Sequence, residues 1–251
     1  MRSGTLRPLQ RLWRSVDPTN LVDTIGPFSD ATVPLLQAGH RRSATAALAY
    51  VEELRRAERA EGLLGLFAGL VPADEGLIAG LVRGAALAGI VGARRRGFSA
   101  EAAARRGFVR MTGTASRVVM GGGREVLAET VESDPRVVGW MRVTGSQPCP
   151  WCAHLAARGP MRRGDAGAGE IHAFHDHDAC TIEPVYADAA FEDRSQWPEP
   201  SRRLRDLWDE ATGGADFEAG GALEAFRRGM EAHAKGRPLP KVDPTIGIEE
   251  F

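Results

Sequence analysis

Along the first half of the chain, apolar residues recur at spacings of three and four. Leu6, Leu9, Leu12, Trp13 and Val16 mark a short amphipathic helix that Asp17-Pro18 breaks. A longer helical stretch is expected from Ser29, whose hydroxyl suits an N-cap, and it carries Val33, Leu36, Leu48, Val51 and Leu54 into a charged end at residues 52–61, with Gly39 as a point for a kink. Glycines and Pro72 mark a loop over residues 61–73. From Leu77 to Ala93 the chain is apolar except for Arg83, with Gly76, Gly80 and Gly84 four apart. This stretch is read as too short for a membrane span, which wants about 20 residues, and a central arginine there costs about 2.5–3.5 kcal/mol. A buried helix of a bundle is expected instead. Arg94-Arg95-Arg96-Gly97 then forms its C-terminus, where cations oppose the helix dipole and glycine supplies a left-handed cap. Ser99 caps the next helix, which passes Phe108, Met111, Ala115, Val118 and Val119 and is expected to stop at a hinge, Gly121-Gly122-Gly123. A last short helix from Arg124 to Glu132 ends at Asp134-Pro135.

Beyond Pro135 the character changes. Val137 to Val143 is apolar and β-branched enough for a strand, and Thr181 to Tyr186 reads as a second one. A polar link from Glu192 to Pro200 leads to helices at Ser201–Ala211 and Gly221–Lys235, and the tail after Pro238 looks extended. The predicted fold class is mainly α with a small α/β zinc-stapled module. A helical N-terminal domain or arm (1–134) is followed by a two-strand Cys/His metal module (135–190), then by C-terminal helices and tail (191–251).

Composition narrows the function. Thirty-two basic against thirty-three acidic residues give a net charge of -1, so nucleic-acid contact can come only from local patches. The paired arginines 41–42 and 55–56 read as solvated faces. The N-terminus carries no apolar signal core, and the expectation is a chain that is not exported. Three cysteines, two of them in a Cys-x-x-Cys, speak against a disulfide framework and for metal or redox chemistry in a reducing compartment.

All three cysteines and four of the six histidines lie between residues 149 and 180. The Cys149-Pro-Trp-Cys152 knuckle puts two sulfurs on one ion, and Cys180 offers a third. A fourth ligand is expected just before it. His175 and His177 alternate on a segment read as extended, so both point one way and Asp176 the other. His177 stands in His-x-x-Cys spacing to Cys180, and Asp178 is a further donor. Mixed Cys/His tetrahedra suit zinc, and a structural zinc is expected. A thioredoxin-like redox pair would leave the distal His/Cys group without purpose. A histidine-metal nuclease, with Arg158, Arg162 and Arg163 nearby, is the alternative of a different class. His154 and His172 read as packing or surface residues.

The residues also carry a family resemblance. Gly139 to Val143, Cys149-Pro150-Trp151-Cys152-Ala153, Leu155 to Pro160 with its Arg-Gly-Pro turn, Phe174-His175-Asp176-His177 and Cys180 to Tyr186 resemble, in order, the Mu F-like minor head proteins of tailed bacteriophages, closest to the version in phages of actinobacteria. The match spans residues 139–186. Where the family usually has the first cysteine of a Cys-x-Cys, this chain has Asp178. The resemblance implies His175 as a metal ligand ahead of His177. It also implies a non-enzymatic structural protein of the virion head, inside the capsid at the portal vertex, passing through the host cytoplasm during assembly. Its implied partners are the portal protein and the major capsid or scaffold protein, with packaged DNA as a further contact and with no membrane and no small-molecule substrate.

Overall fold

In the computed structural model, the structure describes residues 2–60, 74–164, 171–177, 179–242 and 246. The predicted loop at 61–73, Asp178 and much of the predicted tail lie outside them. The chain forms two compact units, Met1–Thr130 with His172–Asp178, and Val131–Ile171 with Ala179–Phe251.

The first unit is built on α1 (Arg2–Trp13), α2 (Leu21–Ala57), α3 (Glu75–Arg95) and α4 (Ala100–Ser133). Its core joins Leu9, Phe28, Leu36, Ile78, Ile90 and Met111, all essentially fully buried. Trp13 of α1 packs edge-on to Phe28 of α2, centroids 5.0 Å apart. Helix α2 starts eight residues before the predicted N-cap. Asp17 accepts hydrogen bonds from the backbone N–H (2.8 Å) and hydroxyl (2.7 Å) of Thr19, forming the turn that launches α2. Ser29 lies inside the helix, its hydroxyl donating to the Ile25 carbonyl one turn back at 2.7 Å.

Helix α3 ends as predicted, and its start is capped by a residue for which no role is expected from the sequence. Asp74 accepts from the Leu77 N–H at 2.7 Å, and Gly97, with φ +81°, takes the left-handed cap after Arg96. Its environment differs from the expectation of a buried helix. One face, carrying Ile78, Val82, Ala86, Gly89, Ile90 and Ala93, is buried, but only 28% of its most apolar 18-residue window is. At 21 residues, with a mean hydropathy of 1.7 over its most apolar 18, α3 is long and apolar enough to cross a membrane by length and composition, which corrects the expectation that it is too short.

Ser99 caps α4 as predicted, accepting from the Ala102 N–H at 3.2 Å. The triple glycine does not end this helix. Gly121, Gly122 and Gly123 lie inside its 34 residues, and the predicted short helix at 124–132 is its continuation. Close packing on α2 is the physical reason. A Cβ on Gly122 would come within 2.3 Å of the His40 carbonyl oxygen, and one on Gly123 within 2.8 Å of the Ser43 hydroxyl. The Gly123 N–H donates to that hydroxyl at 3.2 Å. Each glycine costs the helix about 1 kcal/mol relative to alanine, and the direct approach of two backbones offsets it. On the other side, Gly107 meets Gly89 of α3 in the same way.

The second unit centres on a three-stranded antiparallel sheet of order β2-β1-β3, with β1 (Gly139–Val143), β2 (Met161–Arg162) and β3 (Thr181–Val185). Two strands are predicted; the third is only two residues long and too short to leave a periodic signal. It follows the Gly159-Pro160 turn, where Gly159 has φ +82° and no room for a Cβ, since the Trp197 ring lies 2.2 Å from that position. Pro184 sits on the edge strand β3 opposite Trp140, where a missing N–H is tolerated. Around the sheet lie α5 (Pro150–Ala157), α6 (Ala189–Glu192), α7 (Glu199–Thr212) and α8 (Ala222–Ala234). The predicted C-terminal helices correspond to α7 and α8. They share a core with α5, in which Trp208 and Phe226 are fully buried against Ala153 and Ala157.

Candidate metal centre

Strand β1 delivers the chain to a short loop, and Cys149 then begins α5. Its backbone is extended (φ −69°, ψ 158°), the conformation an N-cap requires, and Pro150 occupies the first helical turn, where no N–H is needed. The Cys149 Sγ accepts from the Cys152 N–H at 3.4 Å. A sulfur at a helix N-terminus, facing backbone N–H groups and the positive end of the dipole, is favoured as thiolate, the form that binds metal. Cys152 follows on the first turn and is buried, whereas Cys149 is exposed. No disulfide forms among the three cysteines.

Cys149 and Cys152 lie on one helical turn of the second unit, an arrangement that can present two sulfurs to one metal ion, and His175 belongs to the first unit. Two sulfurs so placed suit a thiophilic ion such as zinc, so the pair fits a bound metal. Cys180 is buried immediately before β3, in the second unit, and His177 lies in the first. The predicted extended segment is not extended at His177, which has φ +63°. Interactions of Asp176 account for the turn. Its carboxylate accepts from the Thr114 hydroxyl at 2.9 Å and pairs with the Arg117 guanidinium at 3.0 Å, both on α4. The His177 ring then lies on Gly113 of α4, where a Cβ would meet it at 2.5 Å. The two histidines therefore do not share one direction.

His154 packs, as its sequence context suggests. Its ring lies 5.7 Å from Trp151, 5.1 Å from Trp208 and 5.5 Å from Phe217, and burial, with a smaller effect from Arg158, lowers its pKa to about 4. One histidine with an unusual environment carries no sequence signal. His40, inside α2, is 2% exposed, with Nε2 3.4 Å from the Glu125 carboxylate and Nδ1 3.1 Å from the Val118 carbonyl. Contact with Glu125 raises its pKa against the opposing effect of burial. Only the 85-residue separation from Glu125 conceals this pair. A cleft of about 350 Å³ opens beside it, lined by Leu77, Arg117, Arg124, His172 and Phe174 among others.

A largely helical chain with a small antiparallel sheet and a Cys-x-x-Cys pair at a helix start is the class that fold and site define. The chain belongs to the VG15 protein family, whose model matches residues 2–211. That is a viral, phage-type family, and the setting of such a protein is the virion or the host cell. No curated protein and no solved structure matches the chain significantly.

Proposed function

We propose that this chain is a structural minor head protein of a tailed bacteriophage, of the Mu F-like type, associated with the portal vertex inside the capsid. The observation that carries the reading is the family match over residues 2–211, which takes in the helical unit and the Cys-x-x-Cys segment together. The ordered resemblance over residues 139–186 supports the same reading. Its partners are the portal protein and the capsid or scaffold proteins around it, and its role lies in head assembly.

In this reading the metal is zinc and its work is structural. Cys149, Cys152 and His175 hold it, and the fourth ligand comes from His177, Asp178 or Cys180. When bound, the ion contributes ligation free energy to a sheet too small to stand alone. The protein's own part is to present Cys149 at the helix start and to bury Cys152 one turn later. The chain is not an enzyme.

Quantitative mass spectrometry of purified heads and tails tests the proposal. A few copies per head, co-purifying with portal protein, are expected; absence from heads defeats it. Elemental analysis of the purified protein is expected to give about one zinc per chain. Chelator-sensitive cutting of DNA by that preparation would favour the metal-nuclease alternative instead.

A further inference from the structure

Charge is unevenly distributed along this chain. Residues 83–124 contain nine arginines, no lysine and a single acid, Glu101, within a protein of net charge -1. Six of those arginines are exposed: Arg94, Arg95, Arg96, Arg105 and Arg106 around the corner where α3 ends and α4 begins, and Arg110 further along α4, beside Gly84 and Ala88 of α3. Among the described residues, none of the six forms an ion pair. Several arginines elsewhere in the chain do have acidic partners. Arg158, Arg162, Arg194, Arg203, Arg205 and Arg227 all pair with carboxylates. The C-terminal dipole of α3 offsets part of the repulsion among Arg94, Arg95 and Arg96, and an anionic partner would relieve what remains.

The corner is also partly organised in advance. Phe98, in the connection between the two helices, accepts a hydrogen bond from Arg94 Nη1 at its carbonyl oxygen (3.0 Å) and carries the Arg106 guanidinium over its ring at 4.1 Å. Two guanidinium groups are thereby held on one platform. Positive charge is the first requirement of a phosphate-backbone contact, and the planar fork of arginine adds paired hydrogen bonds to the phosphate oxygens. We infer that the α3–α4 corner binds the phosphate backbone of a nucleic-acid duplex, without reading its sequence. An acidic protein surface fits less well, because protein interfaces have an apolar centre, and beside the arginines the exposed apolar side chains are Val91 and Val109, both small and on different helices. Phosphate contacts of this kind fix position and carry no base information.

This surface deepens the head-protein reading by giving the DNA contact a location, and it rests on that reading for which duplex is met. The two fail separately. A protein absent from heads that still binds DNA defeats the reading alone; a head-borne protein that does not bind DNA defeats this inference alone.

Fluorescence anisotropy of the full-length chain with a labelled duplex of arbitrary sequence, between about 50 and 200 mM salt, provides the test. A dissociation constant of about 1–100 μM is expected near physiological salt, with log K falling against log salt at a slope of roughly −4 to −5, as for five phosphate contacts. The quadruple variant Arg95→Ala, Arg96→Ala, Arg105→Ala, Arg110→Ala spares both contacts of Phe98. It is expected to lose about 3 of that slope and at least about tenfold in affinity at 100 mM salt. The same four positions changed to lysine are expected to keep most of the affinity, and Arg203→Ala with Arg227→Ala to change nothing. The inference is overturned by a wild-type protein that does not bind the duplex at 50 mM salt. It is equally overturned by an alanine variant with an unchanged slope, by a lysine variant as weak as the alanine one, or by polyglutamate that binds as tightly as the duplex.

Discussion

Replacing Gly122 by alanine adds one methyl group where the structure has no space for it. The new Cβ would stand 2.3 Å from the His40 carbonyl oxygen, 3.0 Å from its carbonyl carbon and 3.0 Å from its ring. Two of these three contacts are backbone, which cannot swing aside, so α2 and α4 must separate. Overpacking of this sort costs about 1–3 kcal/mol, and a backbone obstacle belongs at the upper end. Better intrinsic helicity of alanine returns about 1 kcal/mol, leaving a net loss of about 2 kcal/mol, or a melting temperature lower by about 4–8 °C for a chain of this size. Gly84→Ala supplies the internal comparison. Gly84 lies in α3, is exposed, and a Cβ there meets nothing within 4 Å. The same chemical change should therefore stabilise by about 0.5–1 kcal/mol and raise the melting temperature by about 1–4 °C. Thermal melts followed by circular dichroism, supported by urea denaturation, measure both. Equal or greater stability of Gly122→Ala would refute the claim that these glycines exist to bring the helices together.

Cys149→Ser should lower bound metal well below one ion per chain and reduce the melting temperature; elemental analysis and a melt check this, and no change in either would remove the metal from the argument. His154 makes stability depend on acidity. Its folded pKa of about 4 lies below the ordinary value of 6.5, so the unfolded chain takes up a proton that the folded one does not. Stability should fall as pH drops from about 6.5 to 4, by about 3 kcal/mol at most. His154→Phe, which keeps the aromatic packing, should show a distinctly shallower loss over that window. His40 has the opposite sign. Its raised pKa means that the folded chain holds the proton more tightly, so its contribution is present below about pH 6.5 and fades as pH rises through the folded value. Glu125→Gln should bring the His40 titration, followed by NMR, back down.

The elements governed by local chemistry were legible in the sequence. Ser99 and Gly97 act at helix ends through atoms within a few residues; Asp74 and the Cys149-Pro150 pair do the same, although neither a cap at Asp74 nor a helix from Pro150 is expected from the sequence. Misreadings arose where distant contacts override local preference. Gly122 looks like a helix stop until His40 is known to lie against it, and Ser29 looks like a cap until Asp17 takes over the start of α2. At the candidate site, Cys149 and Cys152 are read from their spacing because a single helical turn positions both. His177 is different, since its direction depends on Asp176 being drawn to Thr114 and Arg117 some sixty residues earlier in the chain. Likewise Arg142, 1% exposed in the middle of β1, looks in sequence like a surface residue.

Helix α4 carries five glycines, Gly107, Gly113, Gly121, Gly122 and Gly123, in 34 residues. Together they weaken its intrinsic helicity by about 4–5 kcal/mol relative to alanine, more than an isolated helix in water can absorb. The surfaces it closes upon, α2 and α3, precede it in the chain. During synthesis both would have left the ribosome before the glycine run emerged, so α4 would wind up on templates already waiting for it. A circular permutant that placed α4 first would leave the same residues without those templates, and the emerging segment would be a flexible coil open to proteases until the rest of the chain followed.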